Sequence, residues 1–159
     1  MIKDSGKRRE FSTGAVRDIQ EGKGRCDLLP LDICGDYLEC VELVRISEFV
    51  ETMDEGLLYE ALDAFKERTQ KWKTSYGMIL EVAKHFEEGA KKYGENNWQK
   101  GLPLNCYIDS AVRHFLKYCD GWDDEPHDRA FVWNILCGIW TMKNRPEMNN
   151  LKGEQLNEG

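Results

Sequence analysis

The chain has 159 residues, 41% of them apolar, and a formal charge of −7 at pH 7. That length makes one domain with tails, and the acidic balance excludes a nucleic-acid polymer as the main partner while leaving room for a single nucleotide, which needs only two or three local cations. No apolar run reaches the roughly 18 residues of a membrane span, and the start, MIKDSGKRREF, lacks the apolar stretch of a secretion signal, so no membrane association and a cytoplasmic location are expected.

Residues 1–35 read as a flexible, charged lead-in, punctuated by Gly6, Gly14, Gly22 and Gly24 and closed by Pro30. A helical domain is expected over 36–144. Leu43, Ile46, Phe49 and Val50, then Leu57, Leu58, Leu62 and Phe65, recur at helical spacing, and Ser47 reads as a helix cap. Residues 70–77 connect to a helix over about 78–93, striped by Ile79, Val82, Ala83, Phe86 and Ala90 and stopped by Gly94. The next, over about 107–120, buries Ile108, Ala111, Val112, Phe115 and Cys119. The last, from about 126 or 127 to 143, is apolar almost all round and is expected at the centre. Residues 145–159 read as a disordered tail. With no convincing strand pair and no internal repeat, the fold class is all-α, a small bundle of about five helices. The six cysteines form no C-x-x-C pair and read as free thiols rather than a disulfide or zinc set.

Polar chemistry concentrates in GAKKYGENNWQKG (89–101), SAVRHFLKY (110–118) and DDEPHDRAFVWN (123–134), and all three histidines, His85, His114 and His127, lie in or beside these segments. On the helix over 78–93, Glu81, His85, Glu88 and Lys92 share one stripe. Carboxylates a turn or two apart can hold a hard cation; the alternative is a solvated face with charge pairs. On the last helix His127, Asn134 and Thr141 fall at i, i+7 and i+14. Polar groups on so apolar a helix need partners or cost roughly 1–3 kcal/mol each, and a structural Asn with a capping His is the plainer reading. Asp123, Asp124 and Glu125 crowd in front of it, where a helix N-terminus favours negative charge and a metal would too. Asp109, Arg113 and Lys117, with His114 at their edge, suit either a phosphate clamp or an Asp109–Arg113 surface ion pair. Lys91, Lys92, Tyr93, Asn97, Trp98 and Lys100 mix cations, amides and aromatics, as a base with a polyphosphate requires or as a turn with a packed Trp provides. No P-loop, dinucleotide fingerprint or G-x-S-x-G is present.

Together these segments resemble the dATP/dGTP diphosphohydrolase-like family of phages and prophages, related in concept to the MazG-type all-α nucleotide pyrophosphohydrolases. The resemblance rests on Gly22, Lys23, Gly24, Arg25, Asp27, Leu28 and Pro30; on Gly89, Ala90, Lys92, Tyr93, Gly94, Asn97, Trp98 and Gly101; on Arg113 with His114; on the acids 123–125; and on His127 with Asn134. It covers about 20–35 and 78–140, and leaves 36–77 as an insertion. It implies hydrolysis of a (deoxy)nucleoside triphosphate to the monophosphate and pyrophosphate with Mg²⁺ or Mn²⁺. Glu81, Glu88 and Asp124 would hold the metal, in place of the absent E-x-x-E and E-x-x-D pair of the MazG pattern. His114, His127 and Glu88 would act in catalysis, and Lys92, Tyr93, Asn97, Trp98, Arg113, Lys117 and Asn134 would bind the nucleotide. Two alternatives stand beside it: a non-catalytic phage accessory protein that binds or sequesters a nucleotide, and an HD-type phosphohydrolase suggested by the His127–Asp128 dipeptide, although no later Asp follows. The apolar last helix and five tryptophans point to a homo-oligomer, in the host cytoplasm if phage-encoded.

Overall fold

Apolar residues spaced three and four apart wind most of this chain into helices, and the computed structural model describes them over residues 1–151. A short antiparallel hairpin, β1 (Arg8–Glu10) and β2 (Val16–Asp18), precedes six helices: α1 (Leu31–Leu38), α2 (Val41–Thr52), α3 (Glu55–Thr69), α4 (Ser75–Tyr93), α5 (Leu104–Cys119) and α6 (His127–Asn144). The all-α class is as expected, with one helix more than anticipated: α1, which straddles the boundary drawn at residue 35. Ser47 caps nothing, because α2 starts six residues earlier and carries Ser47 in its interior. The caps that form are Asp54 and Thr74, whose side chains accept the Gly56 and Gly77 amides at the starts of α3 and α4. Gly94, at φ 91°, ends α4 in a conformation that a side chain would strain.

The core gathers around Phe65 of α3, whose ring lies 4.4 Å from that of Phe131, 5.3 Å from Tyr118 and 6.0 Å from Phe115. α6 is central as its composition requires. It buries Phe131, Val132, Ile135, Cys137 and Ile139 and packs along α5 on one side and α4 and α3 on others. α1 and α2 approach so closely that a Cβ on Gly35 would sit 2.7 Å from Val44 Cγ2. Glu42 of α2, only 1% exposed, accepts a two-pronged bond from Arg68 at 2.6 and 2.9 Å, a pairing that a buried carboxylate requires. All six cysteines are free.

Both termini depart from the expected tails. The hairpin is fastened to the bundle by bonds to the end of α4 and the segment that follows it. Asn97 accepts the Val16 amide (2.8 Å) and donates to its carbonyl (2.7 Å), the Tyr93 hydroxyl accepts the Asp18 amide (2.9 Å), and Thr13 donates to the Gly101 carbonyl. Alternation of apolar residues could not reveal strands this short, since their partners are these side chains rather than a wider sheet. At the other end, the expected disorder fails through residue 151. A 3₁₀ turn (Pro146–Met148) leads to a buried Leu151, and Arg145 and Asn150 bond the Gln99 carbonyl and Asn105 amide. The rest of that expectation, 152–159, lies outside the described residues. No helix among the described residues is long and apolar enough to cross a membrane.

Candidate active site

The hairpin, α4, α5 and α6 enclose a cavity of about 590 Å³. Part of its lining is aromatic. Phe86 of α4 touches Trp98 and Trp133 with ring centres 5.6 and 5.8 Å apart, and Trp98 stands edge-on to Trp140 at 4.9 Å. Such a wall offers flat, polarisable surface of the kind a nucleobase stacks on. Charged side chains line it as well, with Lys3, Arg17, Lys23, Lys92 and Lys117 among the cations and Asp4, Asp18, Asp109, Asp124 and Glu125 as the carboxylates.

The centre of the charged part is a pair of imidazoles. His114 of α5 and His127, the first residue of α6, face each other with Nδ1 atoms 2.9 Å apart. Glu125 reaches the same point, so that one ligand atom from each of the three lies within 4.8 Å of the others. The opposite nitrogen of His127, Nε2, lies 2.7 Å from Asp124 Oδ1. A carboxylate there keeps the proton on Nε2 and leaves Nδ1 with its lone pair directed at His114, the arrangement by which second-shell carboxylates prepare a histidine to bind a metal. The Nδ1 separation fits the same role, because two imidazoles bound at about 2.1 Å to adjacent positions of one octahedral ion would sit about 3 Å apart. Burial, and then the neighbouring His127, hold the His114 pKa well below the usual histidine range, so its ring is neutral at pH 7 and able to ligate. Asp124 is held below the usual carboxylate range by Lys3, whose ammonium lies 2.7 Å from Oδ2, and by His127. These residues fit a divalent cation, with His114, Glu125 and His127 as its protein ligands.

The carboxylate trio expected to hold a metal does not come together. Glu81 is bonded to Lys84 on the outer face of α4, outside the cavity, and Glu88 is engaged by Arg129 at 2.6 Å and by the Ile2 amide. Only Asp124 of the three lines the cavity, at one remove from the imidazole pair. The reason is geometric: the partly exposed stripe of α4 meets the cations of its own helix and of α6 before it can reach the imidazole pair beside the α5–α6 connection.

The expected nucleotide-binding residues all line the cavity, but several are already engaged. Arg113 is clamped in a buried ion pair with Asp109 and donates to the Gly24 carbonyl at 2.6 Å, while Asp109 takes the Cys26 amide, so the pair anchors the chain that follows the hairpin. Both polar atoms of Asn97 and the Tyr93 hydroxyl hold the hairpin backbone. Lys92 bonds the Lys3 carbonyl, and the Lys117 ammonium lies 4.9 Å from the centre of the Trp122 ring. Trp98 keeps a place on the aromatic wall. Asn134 donates to the Ala130 carbonyl and accepts from Arg17. Asp128, the second residue of the HD dipeptide, is bound to Lys71 and does not line the cavity, which removes the geometric basis of an HD centre.

Three contributors were not singled out for these roles from sequence. Arg17 belongs to β2, in a stretch read as lead-in, and nothing in its neighbours marks it. Lys3 comes from the same stretch. Glu125 was visible only as one of three crowded acids. His85, 7% exposed, is driven down to a pKa of about 4 by burial and then by the charge of Arg129; its Nδ1 is buried without a partner, and its ring packs 5.6 Å from that of Trp133.

No curated protein and no solved structure matches the chain. The profile of one family, described as dATP/dGTP diphosphohydrolase, N-terminal, matches residues 63–151, more than half of the sequence. The match begins inside α3, so it takes in part of the stretch read as an insertion, and it contains the imidazole pair, the acids of the α5–α6 connection and the aromatic wall; the hairpin lies before it. On that match the chain belongs to the dATP/dGTP diphosphohydrolase N-terminal family.

Proposed function

We propose that this cavity binds a purine deoxynucleoside triphosphate and hydrolyses it to the monophosphate and pyrophosphate, with a divalent cation held by His114, Glu125 and His127. The observation that carries the reading is the convergence of those three ligand atoms at the edge of a cavity that His114 and Glu125 line and that also has a wall of aromatic rings and a set of cations. The family description supplies the substrate class. Two imidazoles and one carboxylate form a donor set that suits Mn²⁺ or Co²⁺ better than Mg²⁺, which prefers oxygen ligands alone.

A bound ion would supply charge neutralisation of the phosphate chain and a more acidic water. The chain's own residues do the rest. Asp124 fixes the tautomer of His127, and Lys117 and Lys92 add positive charge where negative charge accumulates on the leaving pyrophosphate. Trp98, Phe86 and Trp133 pack on the base. Glu88 acts at one remove, through Arg129 and the Ile2 amide, which makes it a positioning residue. The new bond joins water oxygen to the α-phosphorus as the bond from that phosphorus to the bridging oxygen breaks.

The test is incubation of purified protein with dGTP or dATP and Mn²⁺, Co²⁺ or Mg²⁺, with products separated by ion exchange. The expected result is equal amounts of nucleoside monophosphate and pyrophosphate, faster with Mn²⁺ or Co²⁺. Orthophosphate without pyrophosphate overturns the reaction. Tight nucleotide binding in EDTA with no turnover in any metal selects a sequestering protein instead.

A further inference from the structure

We propose that Arg17, aimed by the side chains of Tyr93 and Asn97, receives a phosphate of the nucleotide in this cavity. The inference rests on the reading that the cavity holds a nucleotide, but not on hydrolysis.

Arg17 is a charge without a counter-charge. Among the described residues the other buried or half-buried arginines each meet a carboxylate: Arg45 meets Glu48 and Glu60, Arg113 meets Asp109, Arg129 meets Glu88 and Arg145 meets Glu147. Arg17 meets none. One prong, Nη2, donates to Asn134 Oδ1 at 3.3 Å, while Nη1 is buried with no partner at all. The guanidinium carbon lies 5.7 Å from the ring centres of Tyr107 and Trp133, contacts that cushion a cation without neutralising it. A cation taken out of water in this way is costly until an anion arrives, and a guanidinium presents the fork that a phosphate accepts. Arg17 lines the same cavity as His85 and His114. Its partner Asn134 stands seven residues beyond His127 on α6, about 10 Å along the helix axis, a span that a nucleoside triphosphate can bridge.

The backbone on both sides of Arg17 is fixed by the end of α4 and the turn that follows it. Asn97 bonds the amide and carbonyl of Val16, and Tyr93 takes the amide of Asp18. Those bonds engage the polar atoms of Tyr93 and Asn97 with the hairpin backbone, which makes both positioning residues that deliver Arg17. The ordering cost of a charged side chain on a short hairpin is thereby met before the ligand binds. Arg17 lies outside the family match, while the residues that aim it lie inside.

The experiment is equilibrium binding of dGTP and of deoxyguanosine, each with Mn²⁺, to the wild type, Arg17→Gln, Arg17→Lys and Asn97→Ala. Arg17→Gln should weaken dGTP about tenfold or more, the loss of a charge-assisted pair, and deoxyguanosine by less than about twofold. Arg17→Lys should restore part of the affinity, and Asn97→Ala should shift dGTP in the same direction by less. If Arg17→Gln fails to fold by circular dichroism, Arg17→Lys carries the comparison through its smaller selective loss for dGTP. Unchanged dGTP affinity in the folded Arg17 variants overturns the proposal, as does equal weakening of dGTP and deoxyguanosine, which would make Arg17 a reader of the base. A wild type that binds dGTP through Arg17 without hydrolysing it leaves this inference standing and removes the hydrolytic one.

Discussion

The polar stripes of α4 and α6 look alike in sequence and end in opposite environments. On α4, Glu81 and Glu88 face outward and are matched by Lys84 and Arg129. On α6, His127, Asn134 and Thr141 are 1%, 2% and 0% exposed. The α4 carboxylates reach lysine or arginine partners, so their presence is accounted for without a ligand. The α6 groups sit where a polar atom must be satisfied from within, and two of the three line or adjoin the cavity in which Arg17 meets no carboxylate. Burial, more than spacing, separates a functional stripe from a solvated one.

Substitutions should separate the two stripes, and the largest effect is expected at His127. His127→Ala should lower Mn²⁺ affinity and dGTP turnover by more than about a hundredfold, because it removes a proposed ligand rather than a group behind one; calorimetric Mn²⁺ titration and product assay would read it. Retention of Mn²⁺ binding would return the metal to the carboxylates of α4.

The exception on α4 is His85, the stripe's one buried member, and it should show itself in stability. Its folded pKa of about 4 lies below the usual histidine value, chiefly through burial. As pH falls, the unfolded chain therefore takes the proton first, and stability present above about pH 6.5 is lost progressively toward pH 4. The loss is on the order of 3 kcal/mol. His85→Gln should flatten that part of the curve, as measured by urea midpoints at pH 7 and pH 4.5; an unchanged slope would show that His85 titrates normally.

A smaller effect is expected one bond further out. Asp124→Asn should cost about 10- to 100-fold in metal affinity by loosening the His127 tautomer, and the pH dependence of Mn²⁺ binding should move with it. The smallest belongs to the outer face of α4. Glu81→Gln should change turnover by less than about twofold and stability by about 0.5 kcal/mol or less, since an exposed pair contributes little. A large loss of Mn²⁺ affinity there would erase the distinction between the stripes.

Much of the fold was legible because helices announce themselves locally. The glycine at 94 fixes the end of α4 and the apolar spacing over 78–93 its body, with the start three residues earlier at Ser75, and the nearly all-round apolar surface of 127–143 marks the central helix. The hairpin was not legible. Its strands are three residues each, and the bonds that hold it come from Tyr93 and Asn97, more than seventy positions away. The pairing of Glu42 with Arg68 is hidden for the same reason, across 26 positions.

Sequence alone determined the all-α class, the helices that carry the candidate site, and the choice of His114, His127 and the acids before α6 as candidate site residues. These follow from periodicity, from helix ends and from residue chemistry, all of which act over a few positions. Tertiary packing decided which carboxylates meet the imidazoles, that Arg113 anchors a loop through Asp109, and that Arg17 stands in the cavity unpaired. Each of these depends on the relative placement of separate elements and on which charges are removed from water, and side-chain burial is set only when the whole bundle closes.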